Sequence, residues 1–287
     1  MTHSINRVAV IGSGTMGGTL AAHFANAGIP AYLLDIVPNK LTPEEEKKGL
    51  TLQDPAVRNR IVNAGLDAVK KARPAALFTP VIAERIAVGN LEDHFDFIKE
   101  ADWIIEVIVE NLKIKQDLMA RIDAVRKPDS IVTTNTSSIP IKDICAGRSE
   151  SFQQHFLGTH FFNPPRYLKL LEIIPSPKTS PDVLKFVMDF GETVLGKGIV
   201  LCKDRPNFVA NRICTQAGIF ALQYTLKNGY AFNEVDDFTG PIIGHPKTAS
   251  YRLLDLVGID VMNHVAKNLY DAVPEDGSRE EDRKSVV

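Results

Sequence analysis

Cysteine is scarce in this chain, with three in 287 residues. Cys145, Cys202 and Cys214 are odd in number, far apart, and share no metal-ligand spacing, which argues against a disulfide framework and a cysteine metal centre. Free thiols in a reducing cytoplasm are the expectation, with no metal assigned. Long apolar runs are missing as well. None reaches the roughly 18 residues that span a bilayer, and Met1 to Arg7 lack the basic start and apolar stretch of a secretory leader. No excess of one charge exists: 33 basic residues against 35 acidic ones give −2, which offers no footprint for nucleic acid or an anionic membrane. Internal repeats and low-complexity tracts are absent. What the chain does have is 44% hydrophobic content, enough for a sizeable core, and a length that suggests about two domains.

Short runs rich in β-branched residues recur: Arg7 to Ile11, Ala31 to Asp35, Ile86 to Val88, Trp103 to Val109, Ile131 to Thr134, Leu157 to Phe162, Leu170 to Ile174 and Gly198 to Cys202. They read as strands, and continuous apolar character points to burial on both faces. Helical patterns lie between several of them, at Arg58 to Lys71, Leu112 to Val125 and Pro181 to Leu195. The alternation predicts a doubly wound Rossmann-type α/β sheet over residues 1–203. After Cys202 the strand signals stop. Asn207 to Asn228, Asn233 to Thr239, Thr248 to Val257 and Asp260 to Tyr270 read as helices, so residues 204–287 form a smaller all-helical domain. Pro274 to Lys284 is charged, has no packing face, and reads as a frayed tail.

Between the first strand and the first helix lies Gly12-Ser13-Gly14-Thr15-Met16-Gly17. Gly12 suits a tight turn, Gly14 a close backbone approach to a pyrophosphate, and Gly17 close packing of helix on sheet. The helix N-terminus that follows presents N–H groups and partial positive charge to phosphates. Asp35 ends the next strand, where a carboxylate accepts from ribose hydroxyls and repels a 2′-phosphate, favouring NAD over NADP. The same fingerprint serves flavin, so the turn alone leaves that alternative open.

Gly158-Thr159-His160-Phe161-Phe162-Asn163-Pro164 forms a second cluster, and the chain returns through an apolar run that carries one carboxylate, Glu172. A histidine in a buried strand is ordinarily a satisfied core residue. An unpaired glutamate among apolar neighbours is costly. Two adjacent strands joined by a short turn would pair them and account for both. Such a pair suits removal of a proton from a secondary alcohol, because histidine as a residue type titrates near neutrality.

These segments resemble the 3-hydroxyacyl-CoA dehydrogenase family, in which a histidine in an HFFNP segment is followed twelve residues later by a glutamate. The likeness extends over Val109-Glu110-Asn111, Asn135-Thr136-Ser137-Ser138, Pro206 to Arg212, Gly240-Pro241, Pro246-Lys247 and Leu254 to Asp260, and is greatest to the dehydrogenase part of long bacterial fatty-acid oxidation proteins. The resemblance implies NAD as cofactor, an acyl-CoA substrate, and no nucleic-acid or membrane partner. It implies His160 as general base oriented by Glu172, with Ser137 and Asn211 near the substrate. Gly12, Gly14, Thr15, Met16, Gly17, Asp35, Glu110, Lys115, Ser137 and Asn163 are implied to line the cofactor cleft. A homodimer through the helical domain follows from the same likeness, and a cytoplasmic location is the expectation from the free thiols. Two departures stand out. The family carries two long helices after the second strand, whereas Pro38 to Thr79 is cut by prolines here, leaving the coenzyme A contact open among Lys47, Lys48, Arg58, Lys70 and Lys71. The helical domain also looks short. The alternatives are a dehydrogenase of a non-CoA 3-hydroxy acid, and an NAD-binding fragment inactive as truncated.

Overall fold

A computed structural model describes residues 3–274, so the tail beyond Pro274 lies outside the described residues. The chain divides into two compact units, Met1–Asp204 and Arg205–Val287.

In the first unit, β1 (Val8–Ile11), β2 (Ala31–Asp35), β3 (Ile86–Asn90), β4 (Trp103–Glu106), β5 (Ile131–Thr134), β6 (Phe156–Phe161), β7 (Leu170–Pro175) and β8 (Gly198–Leu201) form one sheet. Their order is β3-β2-β1-β4-β5-β6-β7-β8. Every pairing is parallel except that of β6 with β7, a return made through the loop after Phe161. The inner strands are buried along their whole length, which is why they read as unbroken apolar runs. Helices α1 (Thr15–Asn26), α4 (Arg60–Lys71), α5 (Leu112–Val125) and α8 (Pro181–Thr193) accompany the sheet. One core joins Val8, Val10, Leu33, Trp103 and Ile105 to Leu20 and Phe24 of α1 and Val62, Leu66 and Val69 of α4. Chain order reverses at β1, whose neighbours are β2 and β4, and this opens a crevice beyond the carboxyl ends of those strands.

The segment after β2 holds the short α2 (Pro43–Lys47) and α3 (Pro55–Arg58) before α4. Thr42 and Glu45 close a reciprocal capping box on α2. Pro43 and Pro55 each occupy the first turn of a helix, so they start elements rather than interrupt a long one. The longest helix of this segment is α4, with 12 residues. Two further short helices, α6 (Ile141–Ile144) and α7 (Glu150–Gln154), follow β5 and carry too few residues for a visible periodicity.

The second unit is helical among the described residues: α9 (Ala210–Asn228), α10 (Phe232–Thr239), α11 (Tyr251–Val257) and α12 (Ile259–Ala272). Three boundaries in the chain lie three residues from expectation, each for a local reason. Strand β4 stops at Glu106, not Val109, because the Glu106 carboxylate takes the Ile108 N–H at 2.7 Å. Helix α9 begins at Ala210, not Asn207, since Asn207 and Phe208 hold φ of 59° and 49°. Helix α11 begins at Tyr251, not Thr248: Ala249 sits at φ 51°, and Asp236 accepts from the N–H groups of Ser250, Tyr251 and Arg252.

Candidate active site

The carboxyl ends of β1, β2, β4, β5 and β6 carry almost every residue singled out from the sequence. The glycine turn follows β1. At Gly12, with φ of 104°, a Cβ would collide with the Val107 carbonyl. At Gly17 one would overlap the carbonyl of Gly12. Turn and helix therefore approach as only glycine permits. Beside Gly14 a Cβ would meet nothing within 4 Å, and α1 begins without a side-chain cap. Thr15 and Met16 open that helix. Room next to the backbone and uncapped first-turn N–H groups are what a pyrophosphate requires.

Asp35 ends β2. Its Oδ2 accepts from the N–H and the hydroxyl of Ser13, both at 2.6 Å, and its Oδ1 accepts from Ile36 N–H at 2.7 Å. The carboxylate thus ties the glycine turn to the strand end where a ribose would lie.

His160 and Glu172 stand directly opposite each other in the antiparallel β6–β7 pair. Residues opposed in this way project from the same face of a sheet. His160 Nδ1 lies 2.7 Å from Glu172 Oε2, with Glu172 fully buried and His160 7% exposed. An ionised carboxylate only accepts, so toward it Nδ1 is the donor. Phe162 packs edge-on against the imidazole at 4.5 Å between ring centroids. Asn163 lies in the loop that connects the two strands, joined to Pro164 by a cis bond.

Glu110 and Lys115 belong to a third cluster that the sequence reading saw only in part. Lys115, on α5, is buried, with its ammonium 2.6 Å from Glu106 Oε1 and 3.3 Å from Glu110 Oε2. Glu106 also accepts from the Thr134 hydroxyl at 2.6 Å. Glu110 Oε1 accepts from the Thr136 hydroxyl, from the N–H groups of Ser137 and Ser138 at 3.0 and 3.1 Å, and from the Ser138 hydroxyl. Burial works to raise the Glu110 carboxyl, but the Lys115 ammonium and these donors prevail and hold it below the usual carboxylate range. Ser137 is thereby held in place through Glu110, and Lys115 faces the two carboxylates. Asn135 completes the group, accepting from Phe161 N–H at 2.9 Å and so linking this loop to the strand of His160. Glu106, Thr134 and Asn135 were missed. An acidic residue closing the apolar run Trp103-Ile104-Ile105 was the one available signal.

Asn211 lies in the second unit, in the first turn of α9. Of the basic residues left open for coenzyme A, Arg58 is engaged by Glu92 and Asp93 at 2.7 and 2.6 Å, and Lys70 lies 3.8 Å from Asp67. Among the described residues no group of three His, Cys, Asp or Glu side chains is placed to hold a metal ion. No described helix is long and apolar enough to cross a membrane.

Comparison with known proteins decides the family. A family model described as "3-hydroxyacyl-CoA dehydrogenase, NAD binding domain" matches residues 7–205, and one for the C-terminal domain of the same family matches residues 208–286. The chain belongs to the 3-hydroxyacyl-CoA dehydrogenase family. It carries the NAD-binding domain of this oxidoreductase family, and the glycine turn and Asp35 fit that cofactor. A Bacillus subtilis (strain 168) protein named "Probable 3-hydroxyacyl-CoA dehydrogenase" is 54% identical over 98% of this chain, which spans 35% of that protein. One of the same name from Deinococcus radiodurans is 45% identical over 95% of the chain, covering 75% of that protein. The crystal structure of (S)-3-hydroxybutyryl-CoA dehydrogenase PaaH1 from Ralstonia eutropha superposes with a TM-score of 0.74 at 27% identity, covering 98% of this chain and 90% of that one.

Proposed function

We propose that this chain oxidises a (3S)-3-hydroxyacyl-CoA to the 3-oxoacyl-CoA in fatty-acid β-oxidation, with His160 as general base and Glu172 as its orienting partner. The observation that carries this reading is the 2.7 Å contact of His160 Nδ1 with Glu172 Oε2, at the same strand edge as the glycine turn. When bound, NAD supplies the acceptor for the hydride from C3. The protein's task is the proton. A secondary alcohol is a very weak acid, so a base must act as the hydride departs, and His160 Nε2 takes the 3-hydroxyl proton. Glu172 fixes the ring and offsets the charge that develops on it. In the reverse direction Nε2 returns the proton to the forming alkoxide.

In this reading Ser137 and Asn211 contact the substrate. Ser137 and Asn163 also border the nicotinamide end of the cleft, while Glu110, supported by Lys115, holds the Ser137 loop. The turn from Gly12 through Gly14, Thr15 and Met16 to Gly17, together with Asp35, binds the other end of NAD. A cytoplasmic location and a homodimer formed through the helical unit belong to the same proposal, the latter open to sedimentation equilibrium.

The test is an NADH assay with acetoacetyl-CoA and, separately, free acetoacetate. Turnover of the thioester alone is expected, and His160→Gln is expected to lower kcat by about 10²-fold or more with NADH affinity nearly unchanged. A His160→Gln variant that turns over normally would remove the assigned role. Equal use of free acetoacetate would move the reading to a non-CoA 3-hydroxy acid.

A further inference from the structure

Lys197, in the turn between α8 and β8, is a buried cation that the chemistry above does not use. It is 6% exposed. Its ammonium donates to the carbonyl of Pro165 and, at 3.0 Å, to that of Leu168. It also lies 5.7 Å from the centroid of the Phe161 ring, the residue after His160. Both acceptors belong to the loop that joins the strand of His160 to the strand of Glu172. The turn itself is stitched to that loop, because Gly198 N–H donates to Lys169 O at 2.8 Å. On its other side the loop is tied down by Arg166, which donates to the carbonyls of Ala75 and Leu77, and by Tyr167, whose hydroxyl donates to Ala75 O.

We propose that Lys197 is a positioning residue for the His160–Glu172 pair: by clasping the Pro165 and Leu168 carbonyls it sets the connecting loop, and with it Asn163 and the register of imidazole on carboxylate. The inference rests on the dehydrogenase reading. A buried ammonium costs stability unless it is well solvated by the protein, and here two main-chain carbonyls do that work. Leucine or methionine in its place would fill the space without ordering the loop. The groups that face it are His23 from α1, Phe161 from β6 and the loop carbonyls. No carboxylate counters its burial among the described residues, and burial alone lowers the Lys197 ammonium to about 8. His23, which meets Leu195 O of the same turn at 3.2 Å, is itself lowered, first by burial and then by the Lys197 charge.

The chain of consequence is loss of the charge, a slackened clasp and a loop free to shift. A displacement of about 1 Å at a reacting group lowers rates by up to about 10²-fold. The test follows kcat for 3-hydroxybutyryl-CoA oxidation against pH, from about pH 6 to about pH 10, in the full chain and in Lys197→Met. For the unaltered protein kcat is expected to fall above about pH 8 as Lys197 loses its proton and its hold on the two carbonyls weakens. Lys197→Met is expected to be at least about tenfold slower at neutral pH, to bind NADH within about twofold of normal, and to lose the alkaline fall. An unchanged alkaline fall in Lys197→Met, even with a lowered melting temperature, overturns the proposal. If Lys197→Met does not fold, Lys197→Gln keeps a polar head in the site, and persistence of the alkaline fall in that variant overturns the proposal equally. His160→Gln separates the two levels: normal turnover there sinks the dehydrogenase mechanism, whereas an inert His160→Gln with an unaltered Lys197→Met profile sinks only the positioning role.

Discussion

At the scale of single residues, Asp35 does two jobs with one carboxylate. It receives three hydrogen bonds from Ser13 and Ile36, which hold the glycine turn, and it presents negative charge where a ribose would lie. Asp35→Asn removes the charge while its amide oxygen can keep the two Ser13 donors that hold the glycine turn, and only the Ile36 N–H loses its acceptor. The variant is expected to fold normally and to raise the NADPH-to-NADH affinity ratio by about tenfold, roughly 1.4 kcal/mol, because a like charge no longer faces the 2′-phosphate. Fluorescence titration of both nucleotides measures this, and an unmoved ratio would exclude Asp35 as the discriminating group. Residue by residue, the His160 and Glu172 pairing was legible because a buried carboxylate demands a partner and a second apolar run follows soon after the histidine. Lys197 was not legible, because its partners are backbone carbonyls 29 and 32 residues earlier in the chain. Every residue carries a carbonyl, so no side-chain pattern announces such a contact.

At the scale of elements, the docking of α4 on the nucleotide turn is the structural fact with the largest consequence. Gly65 faces Ser13, and a Cβ there would press into the Ser13 carbonyl and its side chain. The Ser13 hydroxyl reaches toward Ile61 O, at the long distance of 3.4 Å, so helix and turn are in contact at two points. Gly65→Ala must therefore move either α4 or the backbone of the glycine turn. The expected result is a loss of about 1–3 kcal/mol in stability together with several-fold weaker NADH binding, read by thermal denaturation and by titration. Stability lost with binding intact would mean that the helix, not the turn, gives way. Sequence periodicity marked α4 well enough from Val62, Leu66 and Val69, its buried stripe. It carried no sign that the helix packs against the turn, since Gly65 reads as an ordinary weak spot in a helix.

At the scale of the whole molecule, pH dependence of stability follows from His23, partly buried against the sheet unit. Burial, and then the nearby Lys197 ammonium, lower its imidazole to about 4. The unfolded chain therefore binds a proton between about pH 6.5 and pH 4 that the native state refuses, so stability falls as pH drops through that window. The loss is on the order of 3 kcal/mol at most, and it should show as a steep decline of melting temperature on the acid side. His23→Gln, which retains a donor for Leu195 O without titrating there, is expected to flatten the decline. Parallel curves for the two proteins would exclude His23 as the source.

Local physics is what a sequence encodes directly. Eight apolar runs, a glycine turn between the first strand and the first helix, and the switch to helical periodicity after Cys202 were enough for the α/β sheet unit followed by helices, because each depends on residues near one another in the chain. The strand order, the docking of Gly65 on Ser13, the Glu106–Lys115–Glu110 cluster that secures Ser137, and the Lys197 clasp were decided only when distant segments met. Those contacts depend on which surfaces the packed core leaves facing each other. Burial then sets how strongly each charge needs its partner, and neither quantity exists before the chain has folded.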